Sequence, residues 1–151
     1  MSETEKLKEE VEALKEKIKI YRFCFLTGLK QRRDFDHDLR KKFDQHDFFL
    51  CYYDVDNLHK VNREKGFAEG DRLIRQVASD IQHQAVPHQT YRTSGDELYA
   101  ICCKAPTHKV QNATNVAIDT QHYDTVDKAI EALDQFMIEA KNKKKTRRID
   151  D

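Results

Sequence analysis

The stretch Tyr91-Arg92-Thr93-Ser94-Gly95-Asp96-Glu97-Leu98-Tyr99-Ala100-Ile101-Cys102-Cys103 constrains the fold more than any other. Extended-favouring residues lead up to Ser94-Gly95, two adjacent carboxylates follow, and a second apolar run leaves. This pattern predicts a hairpin over residues 89–104, two antiparallel strands with an acidic pair at their tight turn, closed by Pro106. Such a turn is a place to hold a metal.

A second strand is read from Phe48-Phe49-Leu50-Cys51-Tyr52-Tyr53, a near-continuous apolar run that fits a strand covered on both faces. It ends in Asp54-Val55-Asp56, so carboxylates should stand at the strand's C-terminal end, where open α/β sheets place ligands. Residues 113–119 are a further candidate strand. Helical spacing joins Phe35, Leu39 and Phe43 in a helix over 31–45, and Leu58 with Val61 in a short helix stopped by Gly66. Leu73, Ile74, Val77, Ala78 and Ile81 mark an amphipathic helix that begins after Gly70-Asp71 and ends before Pro87. Val126, Ala129, Ile130, Leu133, Met137 and Ala140 mark the last helix. The expected class is α/β, with a mostly antiparallel central sheet flanked by helices.

At 151 residues, with no internal repeat or linker, the chain should form one domain over 24–145, preceded by a helix over 1–23 and followed by a tail over 146–151. From Leu7 the apolar positions fall at Val11, Leu14, Ile18, Tyr21 and Phe25, alternating steps of four and three on a helix otherwise made of Glu and Lys. That is a heptad seam. A helix this short is marginal alone, so the seam needs a partner: a second copy in a parallel coiled coil, or the chain's own domain.

Charge narrows the function classes. Lys plus Arg and Asp plus Glu both total 27, so the net charge is zero and gives no general argument for nucleic-acid binding. Six cations are nevertheless concentrated in Lys141-Asn142-Lys143-Lys144-Lys145-Thr146-Arg147-Arg148, for which the plain reading is a solvated helix end and frayed tail. Cys24, Cys51, Cys102 and Cys103 show no CxxC spacing, and three of them lie in apolar runs of buried-strand character, so reduced structural thiols are expected. The seven histidines lack ligand spacing. No run of about 18 apolar residues exists. The start Met1-Ser2-Glu3-Thr4-Glu5 is acidic where a signal peptide is basic and then apolar, so a cytoplasmic protein is expected.

A central strand beside the hairpin would bring Asp54 near Asp96 and Glu97, with the Val55 carbonyl adding an oxygen. Such hard donors suit Mg²⁺ or Mn²⁺ rather than zinc. An acidic turn is by itself weak evidence, since turns favour Asp for their own reasons.

Four motifs together resemble the GGDEF domain of diguanylate cyclases, whose fold is palm-like and ferredoxin-like. Leu26-Thr27-Gly28-Leu29 with Arg32, Arg33 and Phe35 is similar to LTGLxNRRxF. Asp54-Val55-Asp56 through Val61-Asn62, Gly66 and Gly70-Asp71 resembles DxDxFKxxNDxxGHxxGD, Arg92 to Leu98 stands where RxGGDEF is expected, and Ala140-Lys141 resembles the AK near the family's end. The resemblance covers residues 24–145.

What the resemblance implies is a condensation of two GTP molecules, one on each of two facing domains, to cyclic di-GMP and pyrophosphate. Asp54, the Val55 carbonyl and Asp96 would hold Mg²⁺ or Mn²⁺, and Glu97 would act as a further ligand or help activate the ribose 3′-hydroxyl. Asp54, Asp96 and Glu97 are thus the expected catalytic residues. Asn62 and Asp71 match positions that bond guanine, a donor pair that adenine cannot offer a carboxylate. Gly95 leaves room for the α-phosphate and ribose. Ser94, Leu58 and His59 fall beside the nucleotide, and Lys141 and Lys145 match basic phosphate contacts. A homodimer joined by the helix over 1–23 would bring two sites together.

The chain also departs from the pattern. Ser94 replaces the first signature glycine, Leu98 the phenylalanine, His59 a phosphate-binding lysine and Phe67 the histidine after Gly66; Cys24 and Gln31 replace the Asp and Asn of the opening motif. The inhibitory RxxD motif would fall at residues 85–88, which read Ala-Val-Pro-His. Between Lys104 and Ala113 there is no room for the family's long helix, so one sheet face should be less covered. A catalytically idle GTP-binding or interaction module, or a palm making another cyclic oligonucleotide, are the alternative expectations.

Overall fold

A computed structural model describes the chain except for Met1, Phe23, His46, residues 86–88, Thr107 and Asp151, and gives only the backbone of 18–22 and 146–150. The chain runs α1 (Glu3–Arg22), α2 (Arg32–Phe43), β1 (Phe49–Val55), α3 (Leu58–Lys65), α4 (Phe67–Gln82), β2 (Thr90–Arg92), β3 (Glu97–Cys102), β4 (Ala113–Asp119) and α5 (Val126–Asp150), with a 3₁₀ turn at Thr120–His122. The four strands form one sheet in the order β2-β3-β1-β4, each neighbouring pair antiparallel. The expected fold class is what the chain adopts.

The apolar run becomes the central strand because it can be covered from both sides. Cys51, Tyr53 and Val55 point to one face and pack with Val77, Ala78 and Ile81 of α4. Leu50 and Tyr52 point to the other and meet Phe35 and Leu39 of α2 and Leu133 and Met137 of α5. On this second face the rings of Tyr52 and Tyr99 stack 4.6 Å apart, and Phe35 lies 4.4 Å from Tyr99. Asp54 and Val55 lie inside β1, not beyond its end, so the sheet's own hydrogen bonds position them.

The shortened connection between β3 and β4 leaves the α4 face thinner at its edge: Ala117 of β4 is exposed and Asn115 half-buried. β4 answers with polarity, since Asn115 and Asp119 share that face.

Several boundaries differ from the sequence reading. The fourth helix starts at Phe67, so Gly70 and Asp71 sit within its first two turns, not ahead of it. Gly66, at φ 92°, makes the break between α3 and α4 that a side chain would resist. Phe25 lies outside α1 in the following turn and is 99 % exposed, so the seam ends earlier than its spacing suggested. Leu7, Val11 and Leu14 stand on α1, exposed by 60, 48 and 57 %. Ile18 and Tyr21 have side chains outside the described residues, as do the cations at 147 and 148, while Pro87 and the segment 86–88 lie outside them altogether. α5 continues in helical conformation to Asp150, through the segment read as a tail. All four cysteines are free thiols, but Cys103 follows the end of β3 and is exposed, unlike Cys51 and Cys102.

Candidate functional site

The acidic turn and the end of β1 are joined by backbone pairing. Asp54 is the register partner of Glu97, and the Val55 N–H donates to the Asp96 carbonyl at 2.9 Å. Asp54, the Val55 backbone, Asp96 and Glu97 are therefore brought to one place, as the sequence suggested. Because opposite residues of antiparallel strands share a face, Asp54 and Glu97 both look toward α5.

The turn is held by Arg92. Its Nε and Nη2 donate to the Gly95 carbonyl at 3.2 and 2.9 Å, while its Nη1 lies 3.3 Å from the Cys24 Sγ. The Glu97 N–H closes the turn on the Ser94 carbonyl at 3.3 Å. Ser94 and Gly95 are exposed, and a Cβ built on Gly95 would meet nothing within 4 Å. Gly95 also lacks the positive φ seen at Gly28 and Gly66. Neither backbone conformation nor internal packing demands a glycine there.

The carboxylates have distinct surroundings. The Asp54 side chain is 10 % exposed, and its Oδ2 lies 2.9 Å from the Lys141 Nζ. Its pKa is raised, first by burial and then by Asp96 and Glu97, with Lys141 pulling the other way. Glu97 accepts the Tyr52 hydroxyl at 3.0 Å. Burial and the Glu97 charge push the Tyr52 phenol upward, so that hydroxyl stays a donor. Asp56 is anchored apart from these: it accepts Thr114 Oγ1 at 2.7 Å and pairs with Lys144 Nζ at 3.0 Å. Lys144 donates also to Thr114 Oγ1 at 2.7 Å.

Of the basic run, Lys141 and Lys144 thus face the end of β1, one helical turn apart, while Lys145 is exposed. Lys144, Arg92 and Tyr52 carried no role in the sequence reading. The i, i+3 spacing of Lys141 and Lys144 was the available signal, since it puts both on one side of α5.

Through the packing of α3 on α4, Asn62 reaches the fourth helix at Gly70, the residue before Asp71. A Cβ on Gly70 would fall on the Asn62 amide, so the glycine admits that side chain next to Asp71. Neither side chain has a hydrogen-bond partner among the described residues. Leu58 is half-buried at the first turn of α3, and His59 beside it is exposed.

Among the described residues no group of three or more His, Cys, Asp or Glu side chains is gathered as metal ligands. The donors that β1 and the turn bring together, the carboxylates of Asp54, Asp96 and Glu97 and the Val55 carbonyl, are nonetheless hard oxygens of the chemistry a divalent cation takes, with the Lys141 ammonium 2.9 Å from Asp54.

The sequence profile described as "Diguanylate cyclase, GGDEF domain" matches residues 24–120. The chain belongs to this family. This GGDEF domain is similar in fold to the coiled coil and GGDEF domain of DgcB from Caulobacter crescentus in complex with c-di-GMP, at a TM-score of 0.75 and 19% identity over 92% of this chain and 90% of that one. The S helix-GGDEF-EAL portion of Vibrio cholerae LapD, bound to c-di-GMP, gives a TM-score of 0.71 at 13% identity, covering 90% of this chain and 38% of that one. Among curated proteins, the cyclic di-GMP phosphodiesterase PdeB of Shewanella oneidensis is 32% identical over 83 residues, 54% of this chain. The chain spans 10% of that relative's length. No described helix is long and apolar enough to cross a membrane.

Proposed function

We propose that this GGDEF domain condenses two GTP molecules into cyclic di-GMP with release of pyrophosphate. The observation that carries the reading is the register that sets Asp54 opposite Glu97 and bonds Val55 to Asp96, so that the acidic residues of two motifs more than 40 positions apart share one site. Asp54, Asp96 and the Val55 carbonyl would hold Mg²⁺ or Mn²⁺, with Glu97 beside them. Such an ion supplies charge neutralisation at the phosphates and a lowered pKa for the attacking 3′-hydroxyl.

The chain's own residues do the rest. The open space over Gly95 admits the α-phosphate and ribose, and Arg92 keeps the turn from moving as they arrive. Asn62 and Asp71 read the guanine edge, where Asp71 accepts from N1 and the exocyclic amine. Lys141, Lys145 and His59 line the approach of the phosphates, Leu58 sits under the nucleotide, and exposed Ser94 leaves its hydroxyl in solvent. Glu97, fixed by Tyr52, is placed to take the hydroxyl proton or steer it.

One site offers one GTP, so two copies must face each other. The exposed seam of Leu7, Val11 and Leu14 supports a homodimer through α1, in a protein without general affinity for nucleic acid. Segments 1–23, 24–145 and 146–151 then serve as stalk, catalytic domain and charged end, in the cytoplasm where GTP is found. Incubating concentrated protein with labelled GTP and Mg²⁺ tests the reading: cyclic di-GMP should accumulate, and intact GTP in a folded dimer refutes it. Product mass with mixed GTP and ATP separates cyclic di-GMP from another cyclic oligonucleotide.

A catalytically idle GTP-binding module is the second reading, favoured by Ser94 and His59 at signature positions. The matched relative, named as a phosphodiesterase, contains the similar segment as a small part of its length. GTP binding without turnover distinguishes this reading.

A further inference from the structure

We infer that Lys141 is an internal counter-ion that a divalent metal must displace from Asp54, so that this one lysine sets the metal affinity of the site. The inference rests on the reading of Asp54 as a metal ligand. The Lys141 Nζ lies 2.9 Å from Asp54 Oδ2, and the carboxylate is 10 % exposed while the lysine is 43 % exposed. The carboxylate is thus fixed in the protein, and the ammonium has a path to solvent. Three neighbouring carboxylates, Asp54, Asp96 and Glu97, outweigh one ammonium, so the site keeps an attraction for a second positive charge. A metal taking Asp54 meets Lys141 as a competitor for the same oxygen and a like charge beside it.

α5 is built to let Lys141 go. One turn further on, Lys144 is bound to Asp56 Oδ2 at 3.0 Å and to Thr114 Oγ1 at 2.7 Å. Those bonds hold the helix against the end of β1 whether or not Lys141 stays on Asp54. The freed Lys141 remains on the α5 side of the site, where its charge meets an incoming triphosphate. Metal and triphosphate binding are thereby coupled through one side chain.

The test is a Mn²⁺ titration of the metal-free full chain, free Mn²⁺ being read by electron paramagnetic resonance. Lys141→Met should bind Mn²⁺ about tenfold tighter than the unsubstituted protein. Lys141→Arg should resemble the unsubstituted protein. Lys144→Met, which removes the same charge from Asp56, should also leave the affinity unchanged. Equal or weaker binding by Lys141→Met overturns the inference alone, as does equal tightening by Lys144→Met. Absence of Mn²⁺ binding in every protein overturns it together with the reading of the metal site. A second measurement needs no variant: on adding Mg²⁺ to the unsubstituted protein, the Lys141 ¹³Cε resonance should shift while that of Lys144 stays. An unmoved Lys141 signal at saturating Mg²⁺ sinks the inference.

Discussion

Arg92 fastens the acidic turn to its own strand by donating twice to the carbonyl of Gly95, at 3.2 and 2.9 Å. These bonds are exposed, so they add less to stability than to the position of the turn. Arg92→Ala should lower stability by less than about 1 kcal/mol, yet reduce cyclic di-GMP formation by about 10- to 100-fold through loss of alignment. Thermal unfolding and initial rates on the same preparation check both halves.

Gly70 is required by its neighbour. A methyl group there falls on the Asn62 amide, so Gly70→Ala should cost about 1–3 kcal/mol. It should also weaken GTP binding by displacing Asn62. Adding Asn62→Ala should return much of the stability but none of the guanine preference, a non-additivity that denaturant melts of the four proteins would expose.

The α1 seam contributes little within one copy. With Leu7 and Leu14 exposed by 60 and 57 %, replacing both with Lys should leave the melting temperature of the dilute monomer nearly unchanged. Self-association, measured by sedimentation, should fall, and cyclic di-GMP formation should fall with it at low protein concentration. A monomer with undiminished activity contradicts the dimer requirement.

Asp134 supplies a pH signature. Partial burial and the nearby Glu97 charge raise its pKa above that of the unfolded chain, with Arg32 opposing. The folded state therefore binds the proton more tightly, and a penalty that is fully present above the folded pKa shrinks as pH falls through it and is gone below the unfolded pKa. Asp134→Asn should melt slightly higher at neutral pH, by about 1 °C given its exposure. The advantage should close as the solution is taken below the folded pKa, in parallel melts across that range.

Legibility followed the range of the physics involved. The segment 113–119 was named as a candidate strand and forms β4, and the pairing of Asp54 with the acidic turn followed once two strands were read as neighbours. The start of α4 was missed because Gly70 and Asp71 look like a turn locally. In the folded chain Gly66 makes the break instead, and Gly70 is kept small by Asn62 on another helix. Phe25 fits a heptad step, yet the chain turns before reaching it. Cys103 looked like part of a buried strand, but β3 ends one residue earlier.

Hydrophobic periodicity, turn chemistry and the four spaced motifs by themselves determined most of the elements and the family, and named the acidic and guanine-facing candidates, because each is encoded within a few turns or one hairpin. Which cation meets which carboxylate was decided only by tertiary structure. Lys144 and Asp56 are separated by 88 positions, and helical spacing from Lys141 suits Lys144 at i+3 and Lys145 at i+4 equally well. The packing of α5 against the sheet makes that choice, setting Lys144 on Asp56 and Lys141 on Asp54.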